Sequence, residues 1–206
     1  MKKIISLFQR NYETDRLVRD EIVPGAEWVI AGEGVATRKY DGVCTMVRGG
    51  KLYKRYELKP GKTPPASWEP VEEADENTGK RQGWVPVGDG PEDQYLREAL
   101  ADTEAFWSHT FGMGALDDGT YEFLGPKSQG NIEGFARHAL LRHASADQLH
   151  DAPRTFEAIR EYLRERPHIE GIVWHHPDGR MVKIKGRDFG IKRVAETEGF
   201  RNEATA

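Results

Sequence analysis

The stretch Val35-Ala36-Thr37-Arg38-Lys39-Tyr40-Asp41-Gly42-Val43-Cys44-Thr45-Met46-Val47-Arg48 decides how this chain is read. Two β-compatible runs, Val35 to Lys39 and Val43 to Arg48, flank Tyr40-Asp41-Gly42. A Gly49-Gly50 pair then turns the chain into a third run, Lys51 to Glu57. Two such runs separated by Gly-Gly predict a β-hairpin. The first run ends on a lysine beside an Asp-Gly turn. A lysine amine is a nucleophile only without its proton, and an ordinary pKa of about 10.4 prevents that near neutrality. Burial or a neighbouring cation lowers the value. Arg38, Lys185 and a bound metal are candidates to supply opposing positive charge. Taken alone, the Lys-x-Asp-Gly tetrapeptide suits an ordinary lysine at a strand edge just as well.

Outward from this hairpin the pattern stays mixed. Lys3 to Phe8 predicts a short first strand, Glu27 to Ile30 a short apolar segment, and Tyr121 to Leu124 another strand, ended by Gly125-Pro126. Near the carboxyl end, Ile169 to His175 and Arg180 to Ile184 bracket Pro177-Asp178-Gly179 and predict a second hairpin. Phe156, Ile159 and Leu163 give a helical spacing over Thr155 to Arg166, stopped by Pro167. Pro91 to Phe106 predicts a helix with Pro91, Glu92 and Asp93 at its amino end. Phe135 to Leu141 has the apolar content of a short helix without a strong cap. Pro60 to Gly90, rich in Pro, Gly and acids, predicts a long mobile loop with at most a strand at Trp84 to Val87. Short strands with helices inserted between hairpins predict an α+β fold in one domain spanning residues 1–206.

The formal charge is −4, so no global basic field would gather nucleic acid, and a passive nucleic-acid binder is disfavoured. Local basic stretches are present at Lys51, Lys54, Arg55, Lys59 and Lys62, and again at Lys183, Lys185, Arg187, Lys192 and Arg193. The acids concentrate at Glu69, Glu72, Glu73, Asp75 and Glu76. Cys44 is the single cysteine, which excludes an intramolecular disulfide and a zinc-thiolate cluster. Its apolar neighbours point to the core rather than to a nucleophile. The apolar stretch within Met1 to Arg10 is too short for a secretory signal, and no run approaches the ~20 residues of a membrane span. A cytoplasmic enzyme, monomeric and without membrane contact, is the expectation.

Lys39-Tyr40-Asp41-Gly42, Arg55, Glu122 in Thr120-Tyr121-Glu122-Phe123-Leu124-Gly125, Glu170-Gly171-Ile172-Val173 and Lys183-Ile184-Lys185 occur in that order. This set resembles the signature of the covalent nucleotidyltransferases, the ATP-dependent RNA and DNA ligases and the mRNA capping enzymes. The resemblance implies an antiparallel-sheet nucleotidyltransferase core, of the ligase adenylation and ATP-grasp-like kind. It implies that Lys39 takes a nucleoside monophosphate through a phosphoramide bond. Arg55 would position the nucleotide and a strand phosphate, and Glu122 would contact the ribose. Glu170 would place a divalent metal, Mg²⁺ or Mn²⁺, and Lys183 and Lys185 would bind phosphate as pyrophosphate leaves. Asp41 could join the metal site or only fix its own turn. Glu33 could recognise the adenine edge, as residues ahead of the nucleophile do in this superfamily.

Lys51 to Glu57, Gly83 to Val87 and Tyr121 to Lys127 are similar to a compact RNA ligase family that carries this core without a partner domain. Twenty-one residues follow Lys185, too few for the oligonucleotide-binding barrel of DNA ligases and capping enzymes. ATP-dependent joining of RNA 5′-phosphate and 3′-hydroxyl ends is therefore the favoured expectation. A guanylyltransferase, a protein adenylyltransferase, or a nucleotide-binding or RNA-binding protein with decayed chemistry are the alternatives. Other tempting features carry less. Gly32-x-Gly34 lacks the remainder of a phosphate-binding loop. His175-His176 lacks a third nearby ligand, Asp117-Asp118 suits a solvated turn, and Trp68 and Trp84 could stack on a base or pack locally.

Overall fold

The computed structural model describes residues 3–195 apart from 77 and 113. In chain order the strands and helices are β1 (Ile5–Ser6), β2 (Phe8–Arg10), β3 (Val18–Ile22), α1 (Glu27–Ile30), β4 (Val35–Lys39), β5 (Val43–Arg48) and β6 (Lys51–Leu58). They continue with β7 (Glu69–Pro70), β8 (Arg81–Pro86), α2 (Gln94–Phe111), β9 (Gly119–Leu124), β10 (Ala139–Arg142), α3 (Phe156–Glu165), β11 (Gly171–His175) and β12 (Met181–Lys185). The fold is α+β, with three sheets and helices inserted between hairpins. The chain divides into two compact units. Among the described residues, a central unit holds Lys3 and residues 41–145, and a terminal unit holds residues 4–40 and 146–195.

In the terminal unit a four-stranded sheet runs β1-β12-β11-β4, and β2 and β3 form a separate ribbon. The β11–β12 and β11–β4 pairs are antiparallel, and β1 joins β12 in parallel. Strict alternation sorts the side chains of this sheet by face. Ala36, Ile172, Trp174, Val182 and Ile184 are buried on one side, in one core with Ile159, Tyr162 and Leu163 of α3 and with Leu7, Phe8, Trp28 and Val29. Full burial of Ile172, Trp174 and Ile184 contributes about 1.5–3 kcal/mol for each side chain. Thr37, Lys39, Val173, Lys183 and Lys185 fall on the other side. The strand period therefore places the three lysines of the two motifs on one face.

The central unit is a six-stranded antiparallel sheet, β10-β9-β5-β6-β8-β7. One face, with Val43, Val47, Leu52, Tyr121, Phe123 and Leu140, packs on Leu96, Ala99 and Leu100 of α2. The register pairs Cys44 with Glu122 and Arg55 with Trp84, which puts the polar side chains of Glu122 and Arg55 on the face opposite α2.

Two expectations about local structure are corrected. Residues 139–141, expected within the short helix Phe135 to Leu141, belong to strand β10 instead. The run Ala139-Leu140-Leu141 is too short to carry a helical stripe, and β9 offers an open edge with which it pairs from Ala139–Leu124 to Arg142–Tyr121. Within the expected long loop, β8 begins at Arg81 and is an inner strand of the sheet, with β7 at its edge. Trp84 lies in that sheet at 2% exposure. A side chain at Gly83 would meet the indole of Trp68 at 2.2 Å, so both tryptophans are packing residues. Among the described residues no helix is long and apolar enough to cross a membrane.

Candidate functional site

β4 and β12 lie on either side of β11, and the register sets Lys39 and Lys185 both opposite Gly171. A methyl group at Gly171 would sit 2.0 Å from the carbonyl oxygen of Ile184 and 2.8 Å from Cα of Lys185. Glycine is therefore required here by close approach of β12. Its missing side chain also leaves the space between the two lysines clear. Glu170, immediately before β11, fills the convergence point. The Lys39 Nζ donates to Glu170 Oε2 at 2.6 Å, and the Lys185 Nζ donates to Oε1 of the same carboxylate. The carboxylate is 8% exposed, and the lysine side chains 18% and 15%. Burial pushes the Glu170 carboxyl up, but the charges of Lys39 and Lys185 outweigh this and hold it below the ordinary carboxylate range.

Lys183 stands one strand period from Lys185, and no carboxylate pairs with it among the described residues. Burial, followed by the positive charges of Lys185 and Lys39, pushes its pKa down to about 8. Lys185 is also lowered, first by burial and then by Lys39, with Glu170 opposing. The end of β12 is fixed by Asp188, 3% exposed, whose Oδ2 accepts from the Lys185 backbone N–H at 3.0 Å and whose Oδ1 accepts from Arg10. The result is a face with three ammonium groups and one carboxylate. Partly buried cations in excess of carboxylates are a charge arrangement that an anionic group can balance.

Glu33 sits in this unit at the other end of β4. Val35 and Lys39 are separated by four strand steps, roughly 13 Å, and the Glu33 carboxylate pairs with His176 at 2.8 Å. His176 also meets Asp178, while Nε2 of His175 bonds Thr37 Oγ1 at 3.0 Å. The histidine pair thus has local partners in its own unit.

Asp41, Arg55 and Glu122 belong to the central unit. The Asp41 backbone N–H donates to Glu133 Oε1 at 2.7 Å and the Gly42 N–H to Glu122 Oε1 at 2.9 Å, so two carboxylates hold successive amides of the Lys-x-Asp-Gly segment. Gly42 is needed for contact rather than for a left-handed turn, because a methyl group there would lie 2.3 Å from the Phe123 carbonyl oxygen. Arg55 bonds Gln82 through Nε at 3.2 Å and reaches Glu72 at 3.9 Å. Cys44 faces Glu122 across the β5–β9 pair. Burial, then the Glu122 charge, pushes its thiol up to about 11, which leaves it inert as a nucleophile. Asp117 pairs with Arg142, and Asp118 caps the Gly49 N–H at 2.8 Å.

Three residues around the predicted ones escaped sequence reasoning, two in the central unit and one in the terminal unit. Glu133 is 2% exposed and His143 pairs with Glu122, yet neither sits in a recognisable spacing. Asp188 follows Lys185 by three residues, and the only signal for it was an acid in the turn after a strand. No family model matches the chain, and no curated protein matches it.

Among the described residues no group of three His, Cys, Asp or Glu side chains is arranged to hold a metal. Glu170 nevertheless has the hard oxygen donors that suit Mg²⁺, which commonly takes one or two carboxylates and completes its shell with water and substrate phosphates.

Proposed function

We propose that this chain is an ATP-dependent RNA ligase built on a nucleotidyltransferase core, with Lys39 as the nucleophile. The observation that carries the reading is the convergence of Lys39, Glu170, Lys185 and Lys183 on one sheet face. The order of these motifs along the chain supports it. In the resting arrangement Glu170 holds Lys39 as an ammonium. Attack requires Lys39 to leave that ion pair and lose its proton. Lys183 and Lys185 favour this step because two neighbouring positive charges oppose a third. The Lys39 Nζ then forms a bond to the α-phosphorus of ATP as the bond to pyrophosphate breaks. The product is a lysine phosphoramide of AMP.

AMP next passes to the 5′-phosphate of RNA, restoring the Lys39 amine and forming a phosphoanhydride. Attack by the RNA 3′-hydroxyl on the 5′-phosphorus gives a phosphodiester and releases AMP, with the hydroxyl proton passing to solvent. Lys183 and Lys185 neutralise charge that grows on phosphoryl oxygens in the displacements, where a fixed cation is worth most. Glu170 is the residue that would hold Mg²⁺, and the ion when bound supplies further neutralisation of phosphoryl charge. Arg55 and Glu122 take phosphate and ribose contacts.

Incubation with α-³²P-ATP and Mg²⁺ followed by denaturing electrophoresis tests the reading. Wild type should retain label, Lys39→Ala should retain none while remaining folded, and Lys39→Arg should also fail because guanidinium keeps its proton. Label on folded Lys39→Ala removes Lys39 from the chemistry. Label from GTP in place of ATP moves the chain to the guanylyltransferases.

A further inference from the structure

β9 and β10 pair in a register that, continued one step beyond Arg142–Tyr121, sets His143 opposite Thr120. The chain turns there, in a short 3-10 segment from His143 to Ser145. This brings the imidazole over the polar face of β9. Its Nε2 lies 2.8 Å from Glu122 Oε2 and its Nδ1 lies 2.9 Å from Thr120 Oγ1. An ionised carboxylate can only accept, so Nε2 carries the hydrogen. The Thr120 hydroxyl, able to donate, then fixes the tautomer from the far side of the ring. Glu122 is thus gripped at both oxygens, by the Gly42 N–H on Oε1 and by His143 on Oε2. With its side chain 11% exposed, it has few rotamers open to it. A carboxylate accepts about four hydrogen bonds, so this grip leaves lone pairs on both oxygens for a ligand donor.

We propose that His143 is a positioning residue that aims Glu122 at a ribose hydroxyl, so that the Thr120–His143–Glu122 chain makes the protein selective for ribonucleotides over deoxyribonucleotides. The proposal rests on the reading above for the contact between Glu122 and ribose, and adds the group that sets the aim of that contact. The logic is that of a ligand held by an outer partner: a carboxylate free to rotate loses part of each hydrogen bond to disorder, whereas a fixed one delivers it whole. A site built to bond a hydroxyl rejects the analogue that lacks it, because its own buried polar group is left unpaired.

Two measurements keep the proposal separate from the covalent chemistry. Equilibrium binding of AMP, 2′-deoxy-AMP and 3′-deoxy-AMP reads the ribose contact without any reaction. Labelling of Lys39 by ATP and by the matching deoxy-ATP reads it during turnover. Wild type should prefer the ribonucleotide by about 10-fold or more over at least one deoxy form. His143→Ala should erase most of that preference, chiefly by raising KM for ATP and with less change in kcat. His143→Gln, whose amide can still donate to Glu122, should restore part of it. In the Glu122→Ala background, removal of His143 should cost nothing further. A His143→Ala protein that keeps the wild-type ribose preference overturns the proposal. So does one that loses AMP and both deoxy forms equally, which is a purely structural effect. If wild type binds AMP with a ribose preference that depends on His143 but takes no label, the positioning role stands and the ligase reading falls. If wild type shows no ribose preference in either measurement, the positioning role falls.

Discussion

Lys183→Met is expected to yield a protein that is more stable at pH 7 and unable to take AMP. Lys183 is half-buried on the cationic face, with its pKa pushed from an ordinary 10.5 down to about 8. At about 1.4 kcal/mol for each pH unit between those values, carrying the proton in the folded state costs about 3 kcal/mol. Because the folded value lies below the unfolded one, the unfolded chain binds more protons between pH 8 and 10.5, and stability rises with pH across that window. Below pH 8 the full cost is present. Methionine has a similar shape and no charge, so the variant should gain about 3 kcal/mol at pH 7, and the gain should shrink toward zero by pH 10.5. Urea unfolding of both proteins at pH 7, 9 and 10.5 measures this directly. A variant no more stable than wild type at pH 7, or a gain that does not change with pH, refutes the reasoning. Loss of label together with higher stability would show a functional cation held against the preference of the fold.

Gly171→Ala should abolish labelling and destabilise the protein by about 1–3 kcal/mol, since a methyl group 2.0 Å from the Ile184 carbonyl oxygen forces β12 away from β11; normal labelling and an unchanged melting temperature would contradict this. Cys44, with its thiol pushed from 9.0 to about 11, should react with iodoacetamide at pH 8 roughly 100-fold more slowly than a free cysteine. Mass spectrometry before and after denaturation reads that rate, and equal rates would contradict the burial that raises the Cys44 thiol. Lys54 is paired with Asp93 and Arg55 lies beside Glu72, so on the proposed reading the exposed Lys51, Lys59 and Lys62 would be the charges of the basic stretch that meet RNA. Replacing these three by alanine should weaken RNA binding and flatten its salt dependence by roughly two in log–log slope; an unchanged slope would place RNA elsewhere.

What the sequence determined by itself was local. The β4 and β5 runs were legible to the residue, from branched and apolar side chains bounded by glycines. The α3 helix was legible from Phe156, Ile159 and Leu163, and the β11–β12 hairpin from Pro177-Asp178-Gly179. Periodicity also determined that Lys39, Lys183 and Lys185 would each occupy an alternate position of a strand. It could not say which strands would be neighbours. The β4–β11–β12 order decided that, and it set Lys39 and Lys185 opposite the same glycine, with Glu170 receiving both.

The tertiary structure also decided what Gly42 and Gly171 are for, because the carbonyls that exclude a side chain at these positions come from distant strands. It decided that residues 139–142 would be a strand, since an open edge on β9 outweighed a weak helical tendency. Glu133 and His143 were invisible in the sequence for the same reason. Their partners at Asp41 and Glu122 are 92 and 21 residues away, and hydrogen bonding across such distances is set by sheet register, which no local spacing records.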